Sequence, residues 1–331
     1  MPANLSNSNP FAKPGQWFKG AVHFHTTNSD GKLPPDRAVA CLKDKGYDFA
    51  CFGDHWVVTE PGDPEGKLLI IPGCEIDTWS DDTPGNTHIM CVGVDGMEGN
   101  FRPAKWEEGG RPTHRELWDM ARRISDYQII GHPYWSCRSP EFIKSYQGVG
   151  AVEIYNHNHE MKEVMGNSEY TWHILLNEGF PVHATVADDA HGLEDSIGHA
   201  WLMVKAPGCT RPDIIQALQH GDFYSTRGPE IKDIRLEGEF LHVNCSPARR
   251  ILIRTNQFFG KVHNAPPDST ITSGSCWIDL KEMEFMRVEI EDVNGLKAWS
   301  NPLFFSNSLM NPPSRDRLIH ISSPIRKLHS D

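Results

Sequence analysis

Short apolar runs, each stopped by turn-forming residues, recur through the first two thirds of the chain. The first is Ala21-Val22-His23-Phe24-His25, followed by Thr26-Thr27-Asn28-Ser29-Asp30-Gly31. Two histidines one residue apart on a strand point the same way, since side-chain direction alternates with period two. The turn after them places the pair at the exit end of a strand, where loops that carry sites begin. A helical pattern that follows Pro34-Pro35-Asp36, runs through residues 38–42 and ends near Gly46, and a buried strand over 47–52 complete a βαβ signature, and the strand runs into Gly53-Asp54-His55.

The same rhythm continues. Residues 68–71 and 74–76 read as strand, with Glu75 set between Cys74 and Ile76, where an unpaired carboxylate is costly to bury. Residues 86–93 are a strand with His88 near its beginning, and 95–112 read as a loop or lid. A helix over 113–122 leads to a strand closed by Gly131-His132-Pro133. A strand over 150–156 ends at His157. After a helix near 171–177, the run from Pro181 ends in Asp188-Asp189-Ala190-His191. Residues 199–204 form a last strand of this type and 213–220 a helix. From about 223 the runs become short and alternating between Gly, Asn and Pro turns, which predicts a small antiparallel β-domain.

Composition narrows the class. Hydrophobic residues at 38% and charged residues at 23% of 331 describe a globular protein, and no apolar run nears the roughly 20 residues that span a bilayer. Residues 1–17 have no apolar signal-peptide core, so a cytoplasmic protein without a membrane partner is expected. The net charge of −12 argues against nucleic acid as a partner. Eight scattered cysteines without a CxxC pair predict free thiols, not disulfides or a thiolate zinc site.

Seventeen histidines raise the metal question. Any one of them reads as an ordinary core or surface residue. A series at successive strand ends is different, because the strand ends of an α/β barrel meet at one face. Imidazole and carboxylate donors together suit zinc, iron or manganese.

As an ordered set, His23-Phe24-His25 with Ser29-Asp30-Gly31, Gly53-Asp54-His55, Glu75, His88, Gly131-His132-Pro133 and Asp189-Ala190-His191-Gly192 resembles the PHP superfamily of metallohydrolases, named for polymerase and histidinol-phosphatase domains. The match covers residues 17–228. The continuation Ser225-Thr226-Arg227-Gly228-Pro229 and the β-region after it resemble the CehA/McbA-type branch, which includes phosphoesterases and aryl carbamate hydrolases. The second motif carries Gly53 where Thr is commoner.

The resemblance implies an α/β fold: a distorted (β/α)7 barrel over 17–228, an N-terminal extension over 1–16, a small antiparallel β-sandwich-like domain over 229–306 and a tail over 307–331. It implies two or three divalent metal ions. His23, His25, Glu75 and Asp189 would hold the first, Asp30, His55 and His191 the second, and Glu75 with His88 and His132 a third.

The implied activity is that of a metal-dependent phosphoesterase acting on a small phosphorylated metabolite. A water bridging two cations loses a proton near neutral pH and attacks phosphorus. Asp189, His191 and Glu75 are the central groups. Arg227 is expected to clamp a phosphoryl or carboxylate group or else to form an interdomain ion pair. Tyr134, Trp135, Asn156 and His157 are expected to line the substrate pocket, and His157 or His159 to protonate a leaving group. Glu153, His183 and His199 have strand-interior phases and are read as structural or as supporting the ligands from behind. The alternatives are a carboxyl-ester or carbamate hydrolase and a nuclease, proofreading or binding module.

Overall fold

The computed structural model describes residues 9–80, 85–97, 99–102, 110–256, 260–278 and 283–304. The whole tail expected over 307–331 and part of the loop expected over 95–112 lie outside these residues. The first part of the chain carries β1 (Gln16–Ala21), α1 (Pro35–Asp44), β2 (Phe49–Cys51), β3 (Leu69–Ile71), β4 (Gly73–Thr78), β5 (Thr87–Val94), α2 (His114–Ile124), β6 (Ser125–Ile130), α3 (Pro140–Ile143), β7 (Ala151–Asn156), α4 (His157–Glu163), α5 (Glu169–Asn177), β8 (His183–Ala187), β9 (Trp201–Ala206), α6 (Arg211–His220) and β10 (Phe223–Thr226). The second part is all strand: β11 (Ile231–Glu237), β12 (Phe240–Ala248), β13 (Arg250–Thr255), β14 (Lys261–Asn264), β15 (Ile271–Trp277), β16 (Phe285–Glu291), β17 (Lys297–Ser300) and β18 (Leu303–Phe304).

Local chemistry sets the helix limits. In α2 the Thr113 hydroxyl accepts from the Glu116 N–H while the Glu116 carboxylate accepts from the Thr113 N–H, a reciprocal cap that starts the helix. Its Leu117, Trp118, Ala121 and Ile124 are buried. Pro35 opens α1 at a position where its missing N–H costs nothing. Gly221 closes α6 with φ of 73°, a left-handed conformation that glycine adopts without penalty.

The strands form three sheets. One runs β14-β13-β16-β17-β10-β9-β1-β2-β3 with β18 beside β16, a second β4-β5-β6-β7-β8, and a third β11-β12-β15. The expected closed (β/α)7 barrel is not formed by these ladders among the described residues. The pairs β4–β5 and β5–β6 are antiparallel, and β1 pairs antiparallel with β9. A parallel return needs a crossover of a dozen or more residues, and the link from β4 to β5 is shorter than that. The first two sheets meet through two isolated bridges, Phe24 with Ala190 and His55 with Glu75.

The boundary expected at 228/229 is crossed by hydrogen-bonded backbone, since β10 pairs with β17. The strands after it still build their own apolar layer. Leu241, Val243 and Cys245 from the third sheet pack with Ile251, Val288 and Ile290 from the first. The larger core, with Phe49, Trp56, Ile89, Ile129, Val152, Val186 and Leu202, fills the space under the site. All eight cysteines are free thiols. No helix among the described residues is long and apolar enough to cross a membrane.

Candidate metal centre

The reversed direction of β5 explains why a ligand-type residue sits at its beginning. β4, β6, β7 and β8 run one way and β5 the other. His88, second in β5, therefore meets the residues that follow β1, β2, β6 and β8.

Glu75 is the hub. It is 1% exposed. Its Oε1 lies 3.4 Å from His23 Nε2, 3.1 Å from His88 Nδ1 and 3.5 Å from His132 Nε2, and its Oε2 lies 3.4 Å from both His25 Nε2 and His55 Nδ1. Asp189, equally buried, brings Oδ1 to 3.1 Å from His25 Nε2 and 3.4 Å from His23 Nε2. Asp30 lies at the mouth, 3.5 Å from His25 Nδ1, 3.4 Å from His191 Nε2 and 3.8 Å from His55 Nε2. All nine residues that the sequence singles out as ligands thus lie together.

Their donor atoms fall into four overlapping groups, each compact enough for one ion: His25 with Asp30, His55 and His191; His23 with His25 and Glu75; His23 with His132 and Asp189; and His55 with Glu75 and His88. His132 is grouped with His23 and Asp189, whereas the family pattern sets it with His88.

The donor set fits divalent metal ions. His23 Nε2 and His25 Nε2 face each other at 3.3 Å. Asp189 Oδ1, His88 Nε2 and His55 Nδ1 are buried without a hydrogen bond of acceptable geometry. Buried nitrogen and oxygen lone pairs aimed at common points are costly in an apo arrangement and match what a cation requires.

The backbone is held in unusual conformations here. Trp56, His132 and Asp189 have φ of 59°, 28° and 48°, in the left-handed region that bulky residues avoid. Each such residue costs on the order of 1–3 kcal/mol and persists where surrounding structure imposes it, commonly at functional sites.

Charges in the cluster are strongly coupled. Burial alone would lower the pKa of His23, but Glu75, Asp189 and Glu153 raise it well above the ordinary value. Burial likewise opposes the charged form of His55, yet Glu75, Asp77 and Asp30 move it up to about 9. Burial would raise Glu75 and Asp189, and the imidazoles around them hold both well below the usual carboxylate range.

Several supporting residues were not evident from the motifs. Asp54, fully buried, accepts from the Thr26 N–H and from the hydroxyls of Thr26, Ser29 and Thr59, at 2.6–2.7 Å. It fixes the turn that presents Asp30. Gly53 has a steric reason, since a Cβ there would lie 2.8 Å from His23 Cδ2. His132 Nδ1 bonds to Ser136 Oγ at 3.0 Å. Asp77, adjacent to the cluster on β4, carried no signal beyond its place two residues after Glu75.

A cavity of about 670 Å³ opens over the cluster, lined among others by Asp30, His55, Trp79, His88, Trp135, His159, Lys162 and His191. Trp135 stacks on His159 at 4.0 Å and stands edge-on to His88 and His132.

Other expected pocket residues lie elsewhere. His157 is stacked on His199 at 4.0 Å and hydrogen-bonded to Tyr155 OH through Nδ1, away from the cavity lining. Arg227 lies over the Tyr155 ring at 3.9 Å and is likewise not among the lining residues. Asn156 is fully buried behind the cluster, and Tyr134 is exposed outside the lining. Of the two histidines in the first turn of α4, His159 is the one that faces the cavity. Parity along β7 and the first turn of α4 does not distinguish it from His157.

No protein-family model and no curated protein matches the chain. Solved structures with a similar arrangement include a two-domain protein from Bacteroides vulgatus ATCC 8482 described as containing a predicted PHP-like metal-dependent phosphoesterase. It aligns over 89% of this chain and 98% of its own, at 13% identity and a TM-score of 0.49. An amidohydrolase from Chromobacterium violaceum, with bound sulfate and no metal, aligns over 62% of this chain and 96% of its own, at 14% identity and a TM-score of 0.38. A protein from Bifidobacterium adolescentis ATCC 15703 described as a candidate metal-dependent phosphoesterase aligns over 53% of this chain and 88% of its own, at 15% identity and a TM-score of 0.34. At these scores the reading of the site rests on the chain's own residues.

Proposed function

We propose that this chain is a metal-dependent hydrolase of the PHP type that cleaves phosphate esters of a small molecule. The observation that carries the reading is the convergence of His23, His25, His55, His88, His132 and His191 with Glu75, Asp189 and Asp30, with nitrogen and oxygen lone pairs directed at shared points. Bound divalent ions would supply Lewis acidity and lower the pKa of a coordinated water. The chain's own groups do the rest. Glu75 and Asp189 offset the cationic charge from inside the core. Asp30, His55 and His191 set the open edge that a substrate meets. Trp79 and Trp135 form aromatic walls, and Lys162 and Arg102 stand in the cavity lining beside the carboxylates of Asp30, Glu75, Asp77, Glu163 and Asp189, whose charge bound divalent ions would offset before an anionic substrate enters.

Neither Arg227 nor His157 contributes to the cavity lining, so neither is assigned to substrate. The experiment is phosphate release from a panel of phosphate mono- and diesters by metal-loaded protein, with His25→Ala and Asp189→Ala as controls. Release by the parent and loss of both metal uptake and turnover in the controls is the expected result. No release from any ester removes the reading. A second reading, hydrolysis of an aryl ester or carbamate, is favoured by the two indoles beside His88. Phenol or naphthol release from model esters, with phosphate esters untouched, would select it.

A further inference from the structure

Residues i and i+3 of a regular strand point to opposite faces of the sheet. On β7, Glu153 and Asn156 are three apart, yet they meet, with Asn156 Nδ2 donating to Glu153 Oε2 at 2.8 Å. The pairing with β8 accounts for this. Glu153 is opposite Thr185 but Tyr155 is opposite Val186, so β7 carries one extra residue between them. A bulge of this kind shifts the parity of the strand and re-aims the side chains beyond it.

The bulge lets the pair reach three candidate ligands. Glu153 Oε1 accepts from His23 Nδ1 at 2.8 Å, and its Oε2 also accepts from the His132 N–H at 3.1 Å. Asn156 Nδ2 donates to Asp189 Oδ2 at 3.0 Å, and its Oδ1 accepts from the His159 N–H at 3.0 Å. Glu153 is 1% exposed and Asn156 0%. His23, His132 and Asp189 are the members of one compact donor group.

We propose that Glu153 and Asn156, brought together by the bulge in β7, are positioning residues that hold His23, His132 and Asp189 in ligating geometry from behind the metal centre. The proposal rests on the metal-site reading above. Glu153 fixes the Nδ1–H tautomer of His23, which leaves the Nε2 lone pair facing Asp189 and Glu75. Through the His132 N–H it also fixes a backbone with φ of 28°. Asn156 occupies Asp189 Oδ2 and leaves Oδ1 directed at the two histidines. Carboxylates and amides in this relation to ligands raise their basicity and set their orientation, and their loss commonly weakens metal affinity by about 10–100-fold.

The test is chelator competition with Zn²⁺ and with Mn²⁺ on the full chain, for the parent, Glu153→Gln, Glu153→Ala, Asn156→Ala and the Glu153→Ala/Asn156→Ala pair. Thermal unfolding in EDTA is recorded beside it. One site weakened about 10–100-fold in each alanine variant, a smaller loss in Glu153→Gln, and a double variant less affected than the product of the singles support the clamp. Because Glu153→Ala removes a buried partner and can unfold the chain, Asn156→Ala and Glu153→Gln carry the test if it does. Unchanged affinities in folded variants, including those whose unfolding temperature alone has dropped, overturn the clamp and leave the metal site standing. A parent chain that takes up neither ion overturns the metal-site reading and the clamp with it.

Discussion

The indole N–H of Trp56 donates to Asp77 Oδ1 at 3.0 Å, and the same oxygen lies 3.1 Å from Nδ1 of His55, the residue just before Trp56. Two consecutive side chains thus reach one buried carboxylate. The left-handed backbone at Trp56 allows it, with the Trp56 N–H bonded to Glu75 O at 2.8 Å. Asp77→Ala is expected to weaken metal binding at the group formed by His25, Asp30, His55 and His191 by about 10-fold or more. Trp56→Phe keeps most of the packing, loses the N–H, and should give a smaller loss. Metal content after dialysis against graded chelator would read both, and full occupancy in Asp77→Ala would remove Asp77 from the site.

Metal binding should be strongly pH-dependent, and the sign follows from the ligands. Imidazoles bind metal only when neutral, and neighbouring carboxylates raise the pKa of His23 well above the ordinary value and that of His55 to about 9. At neutral pH these rings carry protons that an incoming ion must displace. Affinity is therefore expected to rise with pH from about 6 to 9, approaching tenfold per pH unit for each proton released. Titration with Zn²⁺ in weakly buffered solution should release at least one proton per ion at pH 7. Uptake without proton release would contradict the charge pattern described for the cluster.

How much of this was legible can be judged from individual residues. His23 and His25 announce themselves because period two puts them on one side of a strand exit. Glu75 does so because a carboxylate between Cys and Ile needs a reason. The strand directions were not legible: an apolar run such as 86–93 reads identically in either sense, so β5 looked like a further parallel strand. Glu153 was legible as structural or as supporting the ligands from behind, but its meeting with Asn156 was not, for a related reason. A bulge changes parity by one residue without a marker in sequence, which made Glu153 look interior and Asn156 pocket-facing. Arg227 and His157 had the right composition and a place near a strand end, but packing against Tyr155 and His199 decided where they went.

Beyond the site, a buried ion pair within β16 packs against Trp172 of the first part of the chain. Arg287, 3% exposed, donates to Glu289 Oε1 at 2.5 Å and lies over the Trp172 ring at 4.2 Å. Glu289→Ala leaves this guanidinium without its main partner, and the expected cost is about 3–5 kcal/mol. Replacing both residues with apolar ones of similar size, Arg287→Met with Glu289→Leu, should recover most of it, because desolvation of both charges is then avoided. Urea unfolding of the parent and the two variants decides the point. A Glu289→Ala chain as stable as the parent would show that the Trp172 face and the nearby charge of Glu169 suffice to hold the Arg287 guanidinium.

The last expectation concerns acid stability. His183 begins β8, is 2% exposed, and is hydrogen-bonded through Nδ1 to Tyr127 OH, 3.2 Å away. Burial, with a smaller contribution from the charge of His220, lowers its pKa from 6.5 to about 4. The unfolded chain therefore binds a proton in the window between these values that the folded chain refuses. Stability from this group is present above pH 6.5 and is lost as pH falls toward 4, by up to about 3 kcal/mol. His183→Gln keeps an acceptor for Tyr127 and removes the titration. In EDTA, which takes the metal centre out of the comparison, the variant's unfolding free energy should fall less steeply than the parent's between pH 6.5 and 4. The difference should approach the slope of one proton near the middle of that window. Parallel curves would mean that His183 stays neutral in neither state more than the other, and that the acid sensitivity of the fold lies with other groups.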